Sequence, residues 1–226
     1  SRQSEQLLVS LGIPLLVLVF FSSVDVLPTG TDEPIEYLAP AVLALAVMST
    51  SMVSLGIGTG FERSYGVLKR LGASPLGRPR WVAAKILTVL TTEIVQWTVL
   101  IGVALLLGWS PPGQGWPIAI LGALLGTAAF GGLGLLMAGN LPGLTTLAGA
   151  NGLYLVLLLT GGMVVPLSEL PTPVATAARF LPAAPLTEIL TGSLIAGGSI
   201  PPWAWISLGL WAVIAPVAAA ATFSWE

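Results

Sequence analysis

Six stretches of the chain stay apolar for long enough to cross a bilayer as helices. They run 7–27, 38–60, 81–109, 116–138, 144–165 and 203–223, against a need of about 20 apolar residues for a hydrocarbon core of ~30 Å. The third is long enough to tilt or protrude. The second is unusually polar at its middle, with Ser49, Thr50, Ser51 and Ser54. A helical hydroxyl can bond the carbonyl one turn back, which makes it tolerable in lipid. Trp81, Trp109, Trp116 and Trp203 fall at span ends, the level of an interfacial aromatic belt.

Between the fifth and sixth spans, residues 166–202 are still fairly apolar but punctuated by Pro166, Pro171, Pro173, Pro182 and Pro185. Each proline lacks a donor and clashes with the preceding turn, which forbids one continuous helix. Two short helices fit, at 174–180 and 186–196. In the second, Leu186, Leu190, Leu194 and Ile195 share a face, with Glu188 and Ser193 elsewhere. Such pieces lie in the interface or re-enter the membrane against other helices; an ordinary apolar loop is the plainer alternative. Small residues spaced four apart, such as Gly122 and Gly126, and Gly131 towards Leu135, read as helix packing. No internal repeat stands out. The pattern predicts an all-α integral membrane protein of six transmembrane helices, with short re-entrant or interfacial helices before the last span and one transmembrane domain over 1–226.

Composition agrees. Of 226 residues, 55% are hydrophobic and 8% charged, with a mean hydropathy of +0.93, whereas a soluble domain carries about a quarter of its residues as charges. Cysteine and histidine are absent. That removes disulfides, Cys/His metal sites, His-based catalytic triads and His-ligated haem. No basic stripe interleaved with aromatics suggests nucleic acid. The chain begins at Ser1 and stops just past a hydrophobic run at Glu226. The expectation is that short polar ends are missing, with Arg2–Gln6 consistent with the end of a helix before the first span.

Charge placement gives the orientation. Residues 61–85 hold six of the eight basic residues, Arg63, Lys69, Arg70, Arg78, Arg80 and Lys85. Residues 25–36 hold Asp25, Asp32, Glu33 and Glu36 and no base. The positive-inside rule places the first loop in the cytoplasm and the second outside, with both termini cytoplasmic and Arg179 the single base on the outer side.

On a helical projection of the basic loop, Phe61, Tyr65, Leu68 and Leu71 fall on one side, and Glu62, Arg63, Lys69 and Arg70 flank or oppose it. The spacing predicts a short amphipathic helix along the inner interface, closed by Gly72 and stopped before Pro75. A basic loop that only sets topology is the alternative.

The run from Glu62-Arg63 through Gly66, Leu68 and Leu71 to Pro75, followed by Arg78, Arg80 and Lys85, resembles the cytoplasmic segment of ABC transporter type-2 permeases. These are the membrane subunits of bacterial drug and polysaccharide exporters. Gly161-Gly162-Met163-Val164-Val165-Pro166 resembles that family's glycine-then-proline exit from the fifth span. Phe180-Leu181-Pro182-Ala183-Ala184-Pro185-Leu186-Thr187 resembles its turn before the last span, with Ala184 where the family usually has Asn.

The resemblance implies an export permease subunit, paired with itself or a related chain in a dimer. Each subunit would dock on a separate ATP-binding subunit through a coupling helix made of Glu62, Arg63, Tyr65, Gly66, Leu68, Lys69, Arg70 and Leu71. ATP and Mg would sit on that partner. In this chain the only lysines, Lys69 and Lys85, do not end a phosphate-binding glycine loop. The resemblance also implies that spans two and five line a central path, here Met48, Ser49 and Met52 with Asn151, Tyr154, Leu158 and Met163. That uncharged lining suits a hydrophobic or amphiphilic cargo, drug-like or lipid-like, and methionines adapt to varied shapes. For any one of them ordinary packing is the simpler reading.

Glu93 lies near the middle of the third span, with Gln96 one turn on. A carboxylate at that depth is protonated, paired or turned to water. An interhelical hydrogen bond, to the hydroxyls of span two, is the favoured reading. The rival is a proton-coupled secondary transporter working through Glu93. A membrane-embedded enzyme is disfavoured, because Glu62, Glu93, Glu169 and Glu188 fall at different depths.

Overall fold

The computed structural model describes residues 2–23, 34–72 and 77–224, with side chains from residue 11 onwards except at 23, 71–72 and 77–79. All regular structure among these residues is helical. Helix α1 is Arg2–Ser23; the end of the expected first span, 24–27, lies outside the described residues. The second span is one helical rod, Pro34–Ser64, built of α2 (Pro34–Met48), a π-helical turn (Ser49–Ser54) and α3 (Leu55–Ser64). Helices α4 (Val67–Gly72), α5 (Gly77–Leu106), α6 (Trp116–Asn140) and α7 (Gly143–Thr160) follow, then α8 (Thr172–Ala178), α9 (Ala183–Leu194) and α10 (Pro202–Thr222).

Five helices among the described residues are long and apolar enough to cross a membrane: Pro34–Ser64, Arg80–Leu106, Gly113–Asn140, Gly143–Thr160 and Pro202–Thr222. Within α1 the described apolar helix is the shorter Leu11–Ser22. The second span is enclosed, with α1, α5, α6, α7 and α9 packed around it. The others turn large apolar side chains outward, for example Ile94 on α5, Leu159 on α7 and Val213 on α10. A bundle with one buried rod and an apolar exterior is an all-α membrane protein, whose outer side chains have lipid as their solvent.

Small residues set the closest helix approaches, as small-residue seams do in lipid. On α6, Gly134 lies against Gly56 and the backbone of Met52, and Gly132 lies against Ala215 and Pro216 of α10. The inner seam thus uses Gly132 and Gly134 in place of Gly131, whose added methyl would meet only ordinary contacts. Gly122 and Gly126 do pack a helix, receiving Ile189 and Leu186 of α9.

The re-entrant part differs in detail from the two short helices the prolines suggest. Helix α7 stops at Thr160, short of the expected 165, and turns at Gly162, whose φ of +75° only glycine adopts comfortably. The Tyr37 hydroxyl donates to the Gly162 carbonyl and holds that turn. Helix α9 begins at Ala183, before 186, because Pro185 sits in its first turn, where a missing donor breaks no bond. It ends at Leu194, leaving Ile195 extended as the cap.

The register of α9 against α6 fixes its depth. Leu186 fills the space at Gly126, Ile189 that at Gly122, and the Ser193 backbone abuts Gly115. The eleven residues from Gly126 back to Gly115 span ~16 Å of helix. Helix α9 therefore climbs from inside the bundle back to the end from which α6 starts. It is buried on nearly all sides, Ser193 included, by α2, α6, α7 and α10. Enclosure in protein is what allows broken backbone at membrane depth.

Candidate coupling site

At the basic end the rod of span two meets the turn between α6 and α7. Arg63 donates from Nη1 to the carbonyls of Ala138 and Leu141, both at 3.2 Å. These are among the last carbonyls of α6, which have no partner within their own helix. The Ser64 hydroxyl donates to Gly60 O at 2.9 Å and accepts the Gly143 N–H at 3.0 Å, at the first residue of α7. One pair of neighbouring side chains thus closes one helix and opens the next. The backbones lie close here: a methyl at Gly60 would press on Thr146, and one at Gly143 on Phe61 and Ser64.

Glu62 ties the same junction to the third span, through an ion pair from its Oε1 to Lys85 Nζ at 2.6 Å. Lys85 also lies 5.6 Å from the centre of the Trp81 ring. The Lys85 ammonium is thereby committed to the basic end, and it is not a partner for Glu93.

The amphipathic segment is not one helix. Helix α3 ends at Ser64, Gly66 takes a φ of +68°, and α4 restarts at Val67. The Tyr65 and Gly66 N–H groups bond back to Phe61 O and Arg63 O, each at 2.9 Å. That is a helix C-terminus closed by a left-handed glycine. Phe61 and Tyr65 still stack, with centroids 6.0 Å apart. Beyond the break Leu68 is fully buried, whereas Tyr65, Lys69 and Arg70 are exposed. Arg70 donates to Tyr65 O at 3.3 Å. The side chains of Leu71 and Arg78 are not among those described. The segment therefore has an anchored side (Glu62, Arg63, Leu68) and a presented side (Tyr65, Lys69, Arg70).

Of the residues assigned to a central path, Met48, Met52 and Met163 are fully buried inside this chain, and Ser49 and Tyr154 nearly so. Asn151 is exposed and Leu158 half-buried on α7. The Ser64–Gly143 and Gly60–Thr146 contacts run α3 and α7 antiparallel, which brings exposed Ser54 of the π turn to the level of Leu153. The Tyr154 hydroxyl is buried with no hydrogen-bond partner among the described residues.

The polar groups inside the bundle pair differently from expectation. Glu93 Oε2 accepts from the Thr127 hydroxyl of α6 at 2.8 Å, not from span two, and its Oε1 has no partner among the described residues. It is Gln96 that reaches span two, its Oε1 accepting from Thr50 in the π turn at 2.6 Å. The Ser51 hydroxyl donates to Val47 O at 2.5 Å.

Residues 1–195 match the family described as ABC-2 type transporter. The chain belongs to that family. No curated protein matches it. As an ABC-2 permease it is a multi-pass transport subunit, and the matched region runs from α1 through the re-entrant α9, so the candidate coupling segment falls wholly inside it. At the third motif, Ala184 is fully buried beside Leu167 and Ala178. A methyl suits that apolar niche in place of the amide usual in this permease family.

Sequence reasoning missed Ser64, Thr127 and the two carbonyls that Arg63 caps. Ser64 carried a usable signal, since hydroxyl residues favour helix caps, but it caps α7, a helix that begins at Gly143. Thr127 carried none, being one hydroxyl among many in apolar helices.

Proposed function

We propose that this ABC-2 permease moves a hydrophobic or amphiphilic substrate out across the cytoplasmic membrane, using ATP hydrolysed by separate subunits that dock on Tyr65, Lys69 and Arg70. The observation that carries the reading is the junction of Glu62, Arg63 and Ser64. A push on the presented side is transmitted rigidly, because the anchored side is bonded to the ends of α6 and α7 and to Lys85 on α5. Span two, α7 and the third span then move together, which is the differential contact a two-state switch needs. ATP and Mg belong to the docking partner, and the functional unit pairs two permeases. The basic end faces the cytoplasm with both termini.

The path between two copies runs along the strip of exposed Ser54 and Asn151 and half-buried Leu158, with Met48, Ser49, Met52, Tyr154 and Met163 behind it as its packed support. The orphaned Tyr154 hydroxyl supports a polar contact there, because an unmade buried hydrogen bond costs about 1–3 kcal/mol. An uncharged strip suits an amphiphile better than an ion.

The test measures ATPase activity and substrate flux of the chain co-expressed with an ATP-binding subunit. Charge reversal at Lys69→Glu with Arg70→Glu should lower both by about tenfold, the loss of ~1.4 kcal/mol of docking free energy, with the melting temperature unchanged. Unaltered, ATP-coupled flux in that variant would remove the docking assignment. Flux that follows the proton gradient without any ATPase partner would remove the exporter reading.

A further inference from the structure

At the end opposite the basic loop, α8 and α10 enclose an open trench of about 570 Å³, within the ~300–1,000 Å³ usual for ligand sites. Its α10 wall is one helical stripe, Trp203, Ser207, Leu210 and Ile214. From Trp203 to Ile214 is ~16 Å of helix, about half of a ~30 Å hydrocarbon core and so the depth of one leaflet. Ile206, Leu210 and Ile214 are exposed on the lipid-facing side of α10, so the trench opens laterally into the membrane.

The polarity of the trench is graded. At the Trp203 end the Arg179 guanidinium lies 5.5 Å from the ring centre, a cation–aromatic contact that leaves it exposed at headgroup level. Arg179 is the one base in the sequence between Lys85 and Glu226. Glu188 on α9 feels the charge of Arg179, but Glu188 is half-buried and does not line the trench. Deeper down, the Trp211 N–H is taken by Phe180 O at 2.7 Å. That bond latches the α8–α9 corner to α10 and takes up the Trp211 donor.

We infer that this trench binds one anionic phospholipid of the adjoining leaflet, its headgroup on Arg179 and an acyl chain along Leu210 and Ile214. One cation at the wet end and one leaflet of apolar wall match such a lipid in both charge and length. A zwitterionic lipid would gain the wall but lose the net attraction, and a free anion would gain only the cation. The inference does not depend on what the permease transports.

The experiment is native mass spectrometry of the purified chain with phosphatidylglycerol and phosphatidylcholine of the same acyl chains. Wild type should retain phosphatidylglycerol on the order of fivefold better, the size of one exposed ion pair. Arg179→Gln should abolish that preference and Arg179→Lys keep most of it. Leu210→Trp should reduce retention of both lipids by filling the wall, and the smaller Ile214→Phe serves if that variant does not fold. Equal retention of the two lipids by wild type, or a preference that survives Arg179→Gln, overturns the inference. So does full displacement of phosphatidylglycerol by glycerol phosphate, which would make Arg179 a plain anion site. The chain has no cysteine, so cross-linking between copies through Ile206→Cys would give the face to a second copy and overturn it as well.

Discussion

Arg63 could set topology by charge alone, yet its guanidinium also closes a helix. Two carbonyls near the end of α6 converge on one nitrogen of its planar fork. An ammonium in its place keeps the charge but not the pre-organised geometry. Arg63→Ala should lower stability by about 1–3 kcal/mol, the range for leaving the buried Ala138 carbonyl unpaired, since the Leu141 carbonyl keeps the Thr146 hydroxyl at 3.2 Å; the loss is read as a fall in melting temperature in detergent. Arg63→Lys should recover part of that loss. Equal melting temperatures for wild type and Arg63→Ala would show that water satisfies the Ala138 carbonyl unaided. The charge of Arg63 was legible in the sequence, but its partners were not, because Ala138 and Leu141 offer only backbone atoms. Glu93 teaches the same lesson. That it needs a partner follows from depth alone, but the choice of Thr127 over the hydroxyls of span two depends on how α5 rotates between its neighbours.

At the scale of elements, hydropathy located the spans and proline located the breaks, while glycine decided the joints. Gly66 sits inside a pattern that reads as a continuous amphipathic helix, and only its left-handed backbone reveals the end of α3. A glycine within a helical pattern is ordinarily tolerated, so periodicity could not find that joint. The seam glycines of α6 look alike in sequence but differ in space. Gly132→Ala drives a methyl into the backbone of Ala215 and Pro216, which cannot rotate away, and should cost about 1–3 kcal/mol as overpacking does. Gly131→Ala meets Leu55 at an ordinary 3.7 Å and should leave the melting temperature near wild type. Parallel thermal melts of the two variants check the pair, and equal losses would mean that the close approach of Gly132 to α10 does not set its cost, since helix propensity alone would favour alanine at both positions.

For the molecule as a whole, one end gathers Arg63, Lys69, Arg70, Arg80 and Lys85, and the other carries the re-entrant α9 and the trench under Arg179. The orientation proposed above predicts that an impermeant thiol reagent added to intact cells labels Ser199→Cys and spares Tyr65→Cys, both exposed positions. The reverse pattern would invert the protein and move the trench to the inner leaflet. Burial of span two also changes where a path can lie. Residues such as Met48 and Met52 face the chain's own core, so the path proposed between two copies would draw on the strip of α3 and α7 left uncovered.

The all-α membrane class, the basic loop, the broken segment before the last span and the family resemblance were all legible in the sequence, because hydropathy, charge and proline act locally and need no partner. Tertiary structure alone decided which rod lies at the centre, where α3 ends, how deep α9 runs and what Arg63, Ser64 and Glu93 bond. Each of those depends on which distant residues a helix face meets. In a chain whose helices are apolar on every side, periodicity does not say which face that is.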